Sequence, residues 1–242
     1  MTLIFLAELI GTALLILLGN GVVANVLLKN SGMNGAGPVQ ITLGWGLAVL
    51  LPAFVFGASS GAHFNPALTL ALAADGSVAW KLVPVYVAGQ MLGAFIGAAL
   101  VLLLFYDQFT ATDSVGIKRA CFCTAPAVPH VGRNFLSEAV GTFVLVFAIK
   151  GLSQVVGCAG GVNYLLVFAI IVSVGMSLGG LTGYAINPAR DLGPRIAHAL
   201  LPVPGKGPSN WAYSWIPVFG PIAGALAAVA LYAAIPWNVV TS

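Results

Sequence analysis

The sequence predicts an all-α membrane protein: six transmembrane helices plus two re-entrant half-helices, arranged as an inverted repeat. Three observations lead there. Of 242 residues, 60% are hydrophobic and only 6% charged, against roughly 25% charged in a soluble domain. Six apolar runs are long enough to cross a bilayer, which takes about 20 helical residues. Two further apolar runs, each opened by Asn-Pro-Ala, are too short to cross ~30 Å at 1.5 Å per residue.

The composition excludes whole classes of function. Mean hydropathy is +1.02. Nine Lys and Arg with six Asp and Glu could not keep such a chain in water, so the partner is the lipid bilayer. A net charge of +3, scattered along the chain, does not suit a nucleic acid. No nucleophile–base constellation suggests an enzyme, and no cofactor is expected. Cys121 and Cys123 lack a His cluster and read as loop thiols, not metal ligands. Cys158 reads as apolar filler. Glu8 interrupts the first apolar run, so no cleavable signal peptide is expected.

Taken in order, the first span covers Leu3 to about Leu28, and Lys29 to Pro38 is a loop. The second covers Val39 to about Ala58. A short apolar run follows, residues 66–74. The third span is Leu82 to Tyr106, and residues 107–134 form a long polar connection. The fourth span is Phe135 to about Val156, the fifth Asn163 to about Leu181. A second short run covers residues 188–200, and the sixth span is Tyr213 to Pro236.

The chain reads as one channel domain made of two halves, 1–106 and 135–242. Ala7-Glu8-x-x-Gly11-Thr12 recurs as Ser137-Glu138-x-x-Gly141-Thr142. Gly61 with Asn65-Pro66-Ala67 recurs as Gly183 with Asn187-Pro188-Ala189. Gly89-x-x-x-Gly93-Ala94 recurs as Gly220-x-x-x-Gly224-Ala225. The same order at similar separations indicates duplication. Three spans per half is an odd number, so the halves enter the membrane from opposite sides. Such repeats place their functional site where they meet.

Asn is a strong N-cap and Pro suits the first helical position, so each Asn-Pro-Ala opens a half-helix. In an inverted repeat the two half-helices meet N-terminus to N-terminus near the midplane. The preceding segments, Ala58 to Phe64 and Gly179 to Ile186, are expected to be irregular and to line a water-filled path, because such backbone is tolerated only there or inside protein. Two helix N-termini, each worth about +0.5 of a charge, repel cations and protons and favour neutral solutes. Asn65 and Asn187 would offer amide N–H groups to a passing oxygen. Arg190, on the first turn of the second half-helix, is an intramembrane charge and hence a functional candidate. Glu8 and Glu138, acceptor-only groups inside spans, would hold the loops through backbone N–H groups.

These residues resemble the major intrinsic protein family, the aquaporins and glycerol facilitators. The resemblance rests on Ser60-Gly61-Ala62-His63-Phe64-Asn65-Pro66-Ala67 and Gly183-Tyr184-Ala185-Ile186-Asn187-Pro188-Ala189-Arg190, and covers nearly the whole chain. It implies an aquaporin-like fold, one pore per subunit and a homotetramer in the plasma membrane. Asp191 is a marker of the glycerol-conducting branch. The implied selectivity ring is Trp45, Gly175, Tyr184 and Arg190, with Gly175 leaving room for a carbon chain. Tyr184 departs from the Phe common in glycerol facilitators and adds a hydroxyl. His63 is implied to support the pore loop.

The function expected from this is a passive channel for glycerol, other small uncharged solutes and water, excluding protons and ions. The alternative is a water-selective aquaporin with little glycerol flux. The resemblance implies cytoplasmic termini. Charge counting gives the opposite orientation, since the resemblance leaves Lys29, Lys118, Arg119, Arg133 and Lys206 outside and only Lys81 and Lys150 near the inside.

Overall fold

The computed structural model describes residues 1–158 and 161–237. Among them are ten α-helices: α1 Thr2–Leu27, α2 Pro38–Ser60, α3 Pro66–Ala74, α4 Val83–Leu104, α5 Tyr106–Ala111, α6 Val115–Ala120, α7 Val131–Gly151, α8 Val162–Thr182, α9 Pro188–Leu200 and α10 Ile216–Ala234. α1, α2, α4, α7, α8 and α10 are long and apolar enough to span a membrane. α3 and α9 are the half-length helices.

The half-helices start where their caps dictate. Asn65 Oδ1 accepts from Ala67 N at 2.9 Å. Asn187 Oδ1 accepts from Ala189 N at 3.0 Å and Arg190 N at 3.2 Å. Pro66 and Pro188 follow at the first helical position, where a missing N–H costs nothing. The far end of α9 is closed by Lys206, whose Nζ donates to the carbonyls of His198, Ala199 and Leu201 at 2.6–2.8 Å. A cation there also offsets the negative helix end.

Small residues let the spans approach backbone to backbone. α4 packs on α1 and α10 on α7. A Cβ at Gly89 would stand 2.8 Å from Phe5 O, and one at Gly220 3.1 Å from Phe135 O. At Gly93 and Gly224 it would collide with Leu9 O and Ala139 O. This is the small-x-x-x-small contact of membrane helices, in which close van der Waals packing replaces the absent hydrophobic drive. α2 packs on α8 across the halves. Each half-helix packs chiefly on the other half's third span, α3 on α10 and α9 on α4.

Two ion pairs fix the faces. Lys150 Nζ meets Asp75 at 2.8 Å, joining the ends of α7 and α3. Lys29 Nζ meets Asp113 at 2.6 Å, joining the end of α1 to the α4–α7 connection. Chain direction then puts the start of α1 and the end of α10 on the Asp75 face. Burial works against Asp75 ionising, but Lys150 and Ser77 outweigh it and hold the carboxyl below its ordinary value.

Three expectations change in detail. The irregular pore segments are shorter than expected, residues 61–65 and 183–187, because α2 continues to Ser60 and α8 to Thr182. The fourth span starts earlier, at Val131, because His130 Nδ1 caps it by accepting from Arg133 N at 3.2 Å. The long connection, expected to be polar, is partly helical and partly buried. It holds α5 and α6 and buries Phe109, Cys121, Phe122, Cys123 and Thr124.

A Val at Gly93 or Gly224 should force these pairs apart at a cost of about 1–3 kcal/mol. Thermal unfolding in detergent, followed by tryptophan fluorescence, should show a lower midpoint for both. Gly21→Val, where nothing lies within 4 Å, should leave the midpoint near wild type.

Candidate functional site

Each loop that enters the bundle must turn within five residues. Gly61 and Gly183 end their helices at φ +83° and +79°, the left-handed cap that favours glycine. Beyond them, Ala62, Phe64, Tyr184 and Ile186 also adopt positive φ, from +36° to +54°. Left-handed backbone is costly for such side chains, of order 1–3 kcal/mol each, and a β-branched Ile there is a clear outlier. The surroundings must therefore impose it.

Two carboxylates do so. Glu8 Oε1 accepts from the Ser60 hydroxyl at 2.6 Å and His63 N at 3.1 Å. Its Oε2 accepts from Phe64 N and Gln90 Nε2, both at 2.7 Å. In the other half, Glu138 accepts from Ala185 N at 3.0 Å and Ile186 N at 2.8 Å. Both carboxylates are fully buried, where charge-assisted bonds are strong and unmade ones expensive. One helical turn on, Gly11 leaves the space filled by the Phe64 ring. Gly141 does the same for Ile186, whose Cγ2 would lie 3.1 Å from a Cβ. Glu and Gly three residues apart thus form one device, the first holding the loop's backbone and the second admitting its side chain.

The loops meet through their asparagines. Asn65 Nδ2 donates to Ile186 O at 2.8 Å, and Asn187 Nδ2 donates to Phe64 O at 2.7 Å. One N–H of each amide is spent on this crossing, leaving the other. A cavity of about 1200 Å³ runs beside them. Its lining passes from the α7–α8 connection, through Gly61, Ala62, His63 and Leu68, to Asn65, Asn187, Trp45, Tyr184 and Arg190.

At that end the Arg190 guanidinium lies 3.9 Å from the centre of the Trp45 ring, a cation–π contact. Trp45 is buried and fits against Gly19, where a Cβ would meet its ring. It is not an interfacial anchor. Arg190 Nη1 has no protein acceptor, and neighbouring Asp191 does not pair with it. Gly175 is placed differently from expectation. It does not line the cavity. The space beside it holds Tyr184 and Thr42, with a Cβ falling 3.0 Å from Tyr184 Cε2 and 2.7 Å from Thr42 Cγ2. Gly179 adjoins the same ring. The two glycines form the seat of Tyr184, whose hydroxyl is buried without a protein partner.

Asp191 acts one layer out. Its Oδ2 accepts from Thr124 N and Oγ1, both at 2.7 Å, and its carboxylate pairs with Arg195 at 2.7–2.9 Å. Arg195 also donates to Thr124 O at 2.9 Å and Ser209 O at 2.7 Å. This buried pair ties the long connection to α9 and to the segment that follows it. Burial, with Asp191 beside it, pushes the Cys123 thiol up to about 12, and burial raises Cys121 as well. These thiols are inert filler in a packed segment.

Sequence reasoning missed Gln90, Tyr86, Thr69 and Thr124. Gln90 and Tyr86 left no signal in the repeat, since Pro221 and Pro217 stand at the matching positions. Tyr86 donates to Ser60 O at 2.6 Å and stacks on His63.

Six spans around two half-helices that meet beside a cavity lined by both apolar and polar side chains define a membrane channel. Residues 2–232 match the family described as Major intrinsic protein, and the chain belongs to that family. It is 52% identical over 229 residues to a probable glycerol uptake facilitator protein of Thermotoga maritima, covering 95% of this chain and 97% of that one. It is 54% identical over 222 residues to the glycerol uptake facilitator protein of Bacillus subtilis, covering 91% and 80%. Its fold is similar to the aquaglyceroporin from Plasmodium falciparum, with a TM-score of 0.86, 29% identity and 96% and 95% coverage.

Removing one partner of a buried ion pair costs about 3–5 kcal/mol. Asp191→Ala should therefore lower the unfolding midpoint strongly. Glu138→Gln turns one of the two acceptor oxygens into a donor, which then faces a backbone N–H of Ala185 or Ile186, and should cost roughly 1–3 kcal/mol. The same thermal scan in detergent reads both.

Proposed function

We propose that the chain is a passive channel for glycerol and other small uncharged solutes, with water, and that it excludes protons and ions. The carrying observation is the end of the cavity formed by Trp45, Tyr184 and Arg190. Trp45 supplies an apolar face for CH groups. The unspent N–H donors of Arg190 serve hydroxyl oxygens. The relatives named as glycerol facilitators support this solute class.

Asn65 and Asn187 each keep one N–H for a passing oxygen, between two helix N-termini. A water held by two donors turns its lone pairs inward and breaks the relay a proton needs, while the positive centre repels cations. Gly175 acts through Tyr184: by leaving its seat empty it lets the ring lie back against α8, and this sets the width. Glu8, Glu138 and His63 support the loops, and Asp191 holds the wall behind Tyr184. The protein works as a homotetramer in the plasma membrane with cytoplasmic termini. Lys29, Lys118, Arg119 and Lys206 then face outward, and all four are bound to Asp113 or to chain carbonyls. As structural cations they weigh little in charge counting.

Stopped-flow light scattering on proteoliposomes should show glycerol uptake well above empty vesicles. Water flux without glycerol flux would instead favour a water-selective aquaporin. Arg190→Ala should widen the ring and raise proton leak, read with a pH-sensitive dye. Gly175→His should unseat Tyr184 and cut glycerol flux more than water flux. Tyr184→Phe should raise the ratio of glycerol to water.

A further inference from the structure

We infer that His63 is held in one tautomer, with its proton on Nδ1 and a bare Nε2 facing the conduction path, where it accepts hydrogen bonds from solute hydroxyls. The inference rests on the reading of the cavity as a polyol path. It follows from counting hydrogens along a buried chain of side chains.

The chain starts at Glu8. Gln90 Nε2 donates to Glu8 Oε2 at 2.7 Å and to Thr69 Oγ1 at 3.0 Å. Both amide hydrogens are thereby spent. The amide cannot be turned over, because its oxygen would then face a carboxylate. Thr69 Oγ1 has one hydrogen and two acceptor positions. Gln90 fills one of these. The hydroxyl hydrogen has an acceptor in Asn65 O at 3.0 Å. The remaining lone pair faces His63 Nδ1 at 3.1 Å, which then must carry the proton. Turning the hydroxyl toward Nδ1 instead would lose the bond to Asn65 O and leave a Thr69 lone pair empty. The Nδ1–H form therefore has one more hydrogen bond, in a site where each is strengthened by burial.

The ring plane is fixed as well. Tyr86 stacks on His63 at 4.5 Å and 21°. Nε2 lies beside Gly61, itself a lining residue, where a Cβ would stand 3.2 Å away. The other half has no counterpart: Ala185 stands at the position matching His63, and Asp191 at that matching Thr69. Conversely, Leu68 matches Arg190. One side of the centre thus offers a cationic donor and the other a neutral acceptor. A hydroxyl can satisfy both in turn. A solute that only accepts finds no partner at His63.

Solid-state NMR of the full-length protein in lipid bilayers, with ¹⁵N-histidine, tests this directly, the His63 signals being assigned by their loss in His63→Asn. The expected wild-type spectrum has a protonated Nδ1 and an unprotonated Nε2, and adding glycerol shifts the Nε2 signal. Thr69→Val should move the proton to Nε2 and lower glycerol flux by about fivefold, one hydrogen bond's worth, while Thr69→Ser keeps both properties. A protonated Nε2 in the wild type overturns the tautomer. An Nε2 signal indifferent to glycerol overturns the contact, whether or not Thr69→Val folds. Absence of wild-type glycerol flux would instead refute the channel reading, since the tautomer is read without it.

Discussion

The structure depends on two buried carboxylates that hold left-handed backbone in the middle of a membrane. Irregular chain at that depth has no water to satisfy it except along the path itself. Glu8 and Glu138 supply the missing acceptors to His63, Phe64, Ala185 and Ile186. With those N–H groups spent on the bundle side, the loops can turn their remaining polar groups inward. The crossing bonds of Asn65 and Asn187 then lock the two loops to each other. Remove the carboxylates and neither the strained dihedral angles nor the asparagine positions have a cause.

Symmetry builds the scaffold, and its breaking builds the chemistry. The caps, the positive-φ residues, the glycine ridges and the carboxylates all occur in matched pairs. The lining does not. His63 faces Ala185 across the pseudo-two-fold axis, and Leu68 faces Arg190. Behind the wall, a neutral network of Thr69, Gln90 and Tyr86 in one half stands against the ionic network of Asp191, Arg195 and Thr124 in the other. Matched helices place two N-termini at one point. The side chains that line the cavity beside that point are unmatched.

Much of this was legible in the sequence because membrane physics leaves few options. Run length separated the spans from the half-helices. Asn-Pro-Ala located the first turns of α3 and α9, since cap and proline each have a local mechanism. Glu8 and Glu138 stood out as charges in apolar runs, with Gly11 and Gly141 recurring beside them. What was hidden depends on contacts far apart in sequence. Nothing local says that the space at Gly175 is filled by Tyr184, or that residues 121–124 fold back under Asp191. Gln90 and Tyr86 belong to one half only, so repetition could not flag them. Nor does counting charges register that Lys118 and Lys206 bind chain carbonyls and have become part of the packing.

Amide hydrogen exchange in bilayers tests the central claim most directly. The N–H groups of His63, Phe64, Ala185 and Ile186 belong to no helix and lie beside a hydrated path, yet each donates to a buried carboxylate. They should exchange as slowly as amides in the middle of α1 and α7. Fast exchange, comparable to that of the exposed connection near Asp113, would mean that water rather than Glu8 and Glu138 satisfies the loops, and would contradict this account.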